Sequence, residues 1–232
     1  MEIEQVIDNI ARMRANIDKI KAQCGYDYDI TLIGVTKTKP AELSASIQNL
    51  SLLTDVGENY VQELVEKYPY APNLNWHFVG QLQSNKVKYI IDKVSLIHSL
   101  DRESLAVEIE KQAVKHNKIV DCLIEINIGS ELSKGGIDKS ELVDFAKQID
   151  EEYPHIRLRG VMAIMPNLGE CDELKELFEE FFKLWEVLKN TVSDRHIVDI
   201  RSCGMTNDWD YAIRYAKSTH IRIGRALFGA RQ

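Results

Sequence analysis

Ile30-Thr-Leu-Ile-Gly-Val-Thr36 runs directly into Lys37. Read as a strand, its alternation puts Thr31, Ile33, Val35 and Lys37 on one face, so an ammonium follows a buried row. A lysine entering a core needs a paired charge or a lowered pKa, and a lowered pKa makes the amine a nucleophile for aldehydes. A strand-end lysine that reaches solvent is the ordinary alternative. The rest of the chain decides between the two.

Further short apolar runs follow at 52–56, 75–79, 94–98, 120–128, 157–163, 196–202 and 219–223. Amphipathic stretches centred near Leu43, Leu64, Val87, Val107, Phe145, Phe181 and Ala212 separate them. Strands alternating with helices in this way predict an α/β chain whose parallel sheet closes into a (β/α)8 TIM barrel. Ile3, Val6, Ile7, Ile10, Met13, Ile17 and Ile20 have helical spacing. They predict an extra N-terminal helix, placed to serve as the eighth outer helix. An open doubly wound sheet is the rival, weakened because no G-x-G-x-x-G follows the first strand. Long linkers and solenoid repeats are absent, and one domain over residues 1–232 is expected.

The 232 residues carry a formal net charge of −7 with no basic tail, which argues against a nucleic-acid partner. Glu2 and Glu4 come too early for a secretory leader, and no apolar run is long enough to cross a membrane. Cys24, Cys122, Cys171 and Cys203 are scattered, which fits a reduced, cytoplasmic compartment. The histidines show no H-x-x-x-H or Cys/His cluster, so no metal is expected. His77 and His98 close neighbouring strands and are read first as structural histidines. Phe178, Phe181, Phe182 and Trp185 read as the inner face of a long helix, and the acidic residues around them as its solvated face.

Chemistry in such a barrel sits at the C-terminal ends of the strands. Ser202-Cys-Gly204 closes one strand, and Thr206-Asn207 offers an N-cap for the helix carrying Trp209, Ala212, Ile213 and Ala216. A serine hydroxyl, a glycine-opened turn and free helix N–H groups would make an anion cradle. Gly224-Arg225 supplies the second half, since a missing Cβ lets backbone N–H groups approach a ligand. Two glycine turns that merely end strands are the plainer alternative. In Ser218-Thr-His-Ile-Arg-Ile-Gly224, Arg222 lies on the face opposite Ile221 and Ile223 and is expected to point inward. It stays charged there, and needs a carboxylate or another acceptor.

An inward lysine, an inward arginine and a phosphate cradle together suggest an aldehyde cofactor bearing a phosphate, namely pyridoxal 5′-phosphate held as a Schiff base on Lys37. Longer pieces point the same way. They are Val35-Thr-Lys37, Gly57-Glu-Asn-Tyr-Val-Gln-Glu63, Trp76-His-Phe-Val-Gly-Gln-Leu-Gln-Ser-Asn-Lys86 and His98-Ser-Leu-Asp101. Asn127-Ile-Gly129, Lys134-Gly-Gly136, Arg159-Gly-Val-Met-Ala-Ile-Met-Pro166, Ser202-Cys-Gly-Met-Thr-Asn-Asp208 and the segment from Ser218 to Gly229 continue the series. In these pieces the sequence resembles the pyridoxal phosphate homeostasis proteins, which share the barrel of the alanine racemase N-terminal domain. Cys203 stands where that family is expected to have methionine.

The resemblance implies Lys37 as the Schiff-base lysine, Ser202, Gly224 and Arg225 around the phosphate with Gly204 opening the turn beside it, and Arg222 facing the pyridine nitrogen. Asn59 is read either as a contact to the ring's polar edge or as an N-cap of the helix near Leu64. A guanidinium keeps its proton, so it would leave the ring nitrogen unprotonated and the ring a poorer electron sink. Alanine racemases bring a second base from an additional C-terminal β domain across a dimer. This chain ends at Gln232 without one, so a monomer that binds and delivers the cofactor to pyridoxal phosphate-dependent apoenzymes is expected, with no residue assigned to catalysis. A weak amino-acid racemase and a cofactor-free Schiff-base aldolase using Lys37 are the competing readings.

Overall fold

The computed structural model describes residues 2–129 and 135–230. Lys134 of the Lys134-Gly-Gly136 piece and the terminal Gln232 lie outside the described residues. Strands β1 (Thr31–Val35), β2 (Asp55–Glu58), β3 (Asn75–Phe78), β4 (Val94–Leu100), β5 (Val120–Glu125), β6 (Ile156–Met162), β7 (Ile200–Ser202) and β8 (His220–Ile223) pair in parallel. Their order is sequential, and β8 closes on β1 through Thr31 to His220 and Gly34 to Ile223. The expected (β/α)8 barrel is the fold, and the doubly wound sheet is excluded. Around it run α1 (Ile3–Cys24), α2 (Ala41–Asn49), α3 (Val61–Lys67), α4 (Glu103–Lys115), α5 (Leu142–Glu152), α6 (Asp172–Thr191), α7 (Trp209–Ala216) and α8 (Arg225–Phe228).

Alternation along each strand divides two packed layers. Cys122 and Ile124 of β5 join the outer core against the helices, whereas Leu123 packs inside the barrel with Leu96, Met162 and Ile200. α1 turns Val6, Ile10, Met13 and Ile17 inward at helical spacing and packs beside α7 and α8. Asn9 Nδ2 donates to Leu227 O at 3.0 Å, and Tyr26 Oη donates to Arg214 O at 3.1 Å just beyond the helix. The opening helix thus occupies the eighth outer position.

Several elements depart from the sequence pattern, among them β5, which ends at Glu125 rather than at 128. The stretch around Val87 is a 3₁₀ segment, Ser84–Tyr89, rather than an α-helix. Val87 is its one buried residue, an apolar face too narrow to hold an α-helix against the barrel. β2 begins at Asp55, later than the apolar run at 52–56 suggests, because its ladder with β3 runs from Asp55 opposite Asn75 to Glu58 opposite Phe78. β7 is shorter than 196–202. The His196 ring accepts from Leu158 N at 2.9 Å, so a side chain takes the place of a ladder bond there.

Gly160 sits where the register between β5 and β6 shifts, at φ +147°. A Cβ on it would lie 1.8 Å from Ile200 O. Gly160→Ala should lower unfolding stability by about 3 kcal/mol, from backbone collision together with left-handed strain. Urea unfolding should show a reduced midpoint with an unchanged slope.

Candidate functional site

β1 ends at Val35, and Lys37 occupies the turn that follows, closed by Lys39 N donating to Thr36 O at 3.0 Å. The lysine is half-buried at the wall of a cavity of about 610 Å³ at the C-terminal mouth. A charge cluster fixes this turn from below. Lys67, at the end of α3, donates to Thr36 O at 2.8 Å, to Glu58 Oε1 at 2.8 Å and to Glu63 Oε2 at 2.6 Å. Thr36 Oγ1 donates to Glu58 Oε1 at 2.6 Å, and Thr38 N donates to Glu63 Oε2 at 2.7 Å. Thr38 itself adopts φ 61°. Glu58 and Lys67 are both buried. Burial pushes the Glu58 carboxyl up, and the adjacent Lys67 charge pulls it back. Every N–H of the Lys67 ammonium is thus engaged, one of them by the carbonyl that immediately precedes Lys37.

Arg222, on β8, is buried with its side chain lining the same cavity. Nη1 donates to Ser202 Oγ at 2.6 Å and Nη2 to Ala163 O at 3.0 Å. Ser202 was expected in the anion cradle. Its side chain is fully buried at the end of β7, where the hydroxyl meets Arg222 on one side and His98 Nδ1 at 3.0 Å on the other. It supports the cavity floor and is not part of the wall. Gly204 also stands back from the wall. It takes φ +95°, its carbonyl accepts from Arg222 N at 2.9 Å, and a Cβ there would sit 2.6 Å from Ala212 Cβ.

The wall beyond β7 is made instead by Met205, Thr206 and Asn207, and beyond β8 by Gly224 and Arg225. Arg225 Nη2 donates to Asn207 Oδ1 at 2.8 Å, which ties the two loops together at an exposed rim. Thr206-Asn207 does not cap α7. Asp208 precedes the helix, and its carboxylate accepts from Met205 N at 2.6 Å. Asn59 lines the cavity, and Tyr60 occupies the N-cap position of α3 without a side-chain bond, which removes the capping reading. Lys37, Asn59, Arg222, Gly224 and Arg225 therefore share one cavity. Sequence reasoning missed Thr206 as a wall residue, Lys67 as the clamp, and the apolar wall of Ile164, Met165, Leu168 and Leu174.

Glu125, closing β5, is buried and its carboxyl is pushed up to about 7 by desolvation, with the Asp101 charge adding and Arg222 and Arg102 offsetting. Together these groups give a half-buried amine, a buried guanidinium in the floor and a polar rim, an arrangement that suits a flat anionic ligand with an electrophilic carbon.

Comparisons with known proteins bear on the family and the fold. The family described as the alanine racemase N-terminal domain matches residues 9–232. A pyridoxal phosphate homeostasis protein of Pasteurella multocida is 40% identical over 236 residues, covering 100% of this chain and 98% of the relative. The structure of PipY of Synechococcus elongatus with PLP bound has a TM-score of 0.80 at 27% identity, covering 97% of this chain and 100% of that one. An alanine racemase of Clostridium difficile shares the fold at a TM-score of 0.73 and 16% identity, covering 96% of this chain and 57% of the racemase.

Two substitutions test the electrostatics around the cavity. Lys67→Met strands Glu58 in the interior and should cost about 3–5 kcal/mol, with Lys67→Met/Glu58→Gln recovering most of it in urea unfolding. Glu125 keeps its proton to about pH 7 in the native state against an ordinary value of 4.5. Through Glu125 the native state binds more protons between these values, so this group's contribution to stability falls as pH rises through that window, against the opposite contribution of buried His98 and His220. Glu125→Gln should remove this contribution, so that stability rises with pH more steeply than in the wild type by about 3 kcal/mol over the window, when unfolding is compared between acidic and neutral buffers.

Proposed function

Because the chain belongs to the pyridoxal phosphate homeostasis family, built on the barrel of the alanine racemase N-terminal domain, we infer that its cavity holds pyridoxal 5′-phosphate. The observation that carries this reading is the convergence of Lys37, Arg222 and the Thr206–Asn207/Gly224–Arg225 rim on one cavity. The residues fit the group. Lys37 is the amine that would hold it as a Schiff base. Arg222, already fixed by Ser202 and Ala163 O, would face the pyridine nitrogen. Thr206, Asn207, Gly224 and Arg225 would surround the phosphate, and Asn59 the ring's polar edge. Bound there, the cofactor supplies an aldehyde electrophile and an electron-withdrawing ring.

The protein's own groups favour retention and release. Arg222 keeps its proton at neutral pH and would not protonate the ring nitrogen, which leaves the ring a weak electron sink. Lys67 and Glu63 hold the Lys37 turn in place, so the amine needs little reorganisation to engage an aldehyde. The half-buried position of Lys37 keeps it reachable by competing amines. Reversible holding of the cofactor, its release to pyridoxal phosphate-dependent apoenzymes, a monomeric state, a single barrel domain and a cytoplasmic setting make up the proposal. Among the described residues no helix is long and apolar enough to cross a membrane.

The test is an absorbance spectrum of the purified protein after pyridoxal phosphate is added and the excess removed, beside Lys37→Ala. The wild type should show an imine band that borohydride bleaches. The variant should lack the band and retain cofactor roughly tenfold more weakly or worse. A colourless wild type that retains no cofactor would refute the reading.

A further inference from the structure

Behind Arg222 a line of hydrogen bonds crosses the barrel interior. Ser202 Oγ lies 2.6 Å from Arg222 Nη1 and 3.0 Å from His98 Nδ1. His98 Nε2 lies 3.0 Å from His77 Nδ1, and His77 Nε2 lies 2.9 Å from Asp55 Oδ1. His77, His98, Ser202 and Arg222 are buried, while Asp55 lies at the start of β2 beside a smaller cavity at the opposite end of the barrel.

The two ends set the direction of the line: the Asp55 carboxylate can only accept, which places the His77 ring proton on Nε2, and the guanidinium can only donate, so Ser202 Oγ accepts from it. The serine proton then has His98 Nδ1 as its acceptor, which leaves Nδ1 bare and puts the ring proton on Nε2. That proton fills the gap to His77, whose Nδ1 must accept, and His77 Nε2–H donates to the Asp55 carboxylate. With this order both imidazoles are neutral, and each polar atom along the line has a partner.

We propose that Asp55, His77 and His98 are positioning residues for the cofactor site, a one-way hydrogen-bond line that holds Ser202 and, through it, aims Arg222 at the ligand. The proposal rests on the pyridoxal phosphate reading for the ligand's identity, and on these contacts alone for the line itself. The surroundings keep the His98 ring uncharged. His220 and Arg222 face the His77 and His98 pair from β8, and the His77 and His220 rings are 6.2 Å apart. Arg159 of β6 adds positive charge near His220, and Asp55 of β2 is the one acid in contact with the pair among the described residues. Burial first, then His77, Arg222 and His220, holds His98 well below the ordinary histidine range, and burial holds His220 at about 3. Burial lowers the Arg222 pKa, and the acids that face it, Asp208 and Glu125 of β5, act in the opposite sense.

The line is read directly in the cofactor-free wild type labelled with ¹⁵N-histidine. At neutral pH, His77 and His98 should each show a protonated Nε2 and a bare Nδ1. An Nδ1–H tautomer or an imidazolium at His98 would overturn the order of donors. Pyridoxal phosphate binding then reads its consequence. His98→Phe removes the acceptor for Ser202 and should weaken binding about tenfold, the worth of a lost buried hydrogen bond, while the Lys37 band stays sensitive to borohydride. His98→Asn restores an acceptor near the Nδ1 position and should recover most of that loss. Equal affinity in wild type, His98→Phe and His98→Asn would refute the positioning role. A wild type that holds no cofactor would instead refute the functional reading, while the ¹⁵N pattern still decides the line.

Discussion

A positive charge buried on the axis of a closed barrel is the constraint around which this interior is arranged. A parallel barrel has no open edge through which inward-facing groups can reach water, so each must find its partner among other inward-facing groups. Arg222 meets this requirement through neutral oxygens, Ser202 Oγ and Ala163 O, rather than through a carboxylate in contact. A contacting carboxylate would neutralise the guanidinium and occupy the donors that a ligand needs. Neutral acceptors leave the charge in place. The polar line through His98 and His77 to Asp55 is the structural consequence, since a hydroxyl shared with a donor-only group needs an acceptor of its own.

The Lys37 turn obeys a related rule with the signs distributed differently. Here the buried cation, Lys67, is met by two acids and a backbone carbonyl, and all three bonds fall on groups that frame the turn. Such a cluster contributes less to net stability than its number of contacts suggests, because removing two charges from water is costly. Its role is geometric. Glu58 from β2 and Lys67 and Glu63 from α3 fix the carbonyl of Thr36 and the amide of Thr38, on either side of Lys37. The Lys37 amine is thereby placed by an element other than its own strand.

The barrel was legible because the strands are mostly buried runs and most are followed by an amphipathic stretch, a pattern that survives errors of a few residues at the ends of β2, β5 and β7. Lys37 and Arg222 could be placed at one cavity from sequence because their chemistry is costly to bury. The cavity wall differs from the expected cradle where two hydroxyls lie close in sequence. Ser202 is the last residue of β7 and points to the axis, whereas Thr206 lies beyond the left-handed turn at Gly204, and only the strand's register separates them. Lys67 looks from sequence like any solvated lysine at a helix end, and its burial depends on Glu58 arriving from another element. His77 and His98 were seen to close neighbouring strands, but their meeting, and its continuation to Ser202, exists only once the sheet has closed.

The placement of α1 bears on how the molecule is made. α1, which precedes every strand, has its docking surface on α7 and α8, and Asn9 reaches a carbonyl, that of Leu227, 218 residues further along. During translation its apolar stripe of Val6, Ile10, Met13 and Ile17 therefore waits exposed until α7 and α8 have left the ribosome. Sheet closure imposes the same delay, because β1 cannot pair with β8 until the last strand exists. The nascent chain thus presents the apolar face of α1 for many seconds, the kind of segment that holding chaperones engage, and the barrel closes only once β8 has emerged rather than strand by strand.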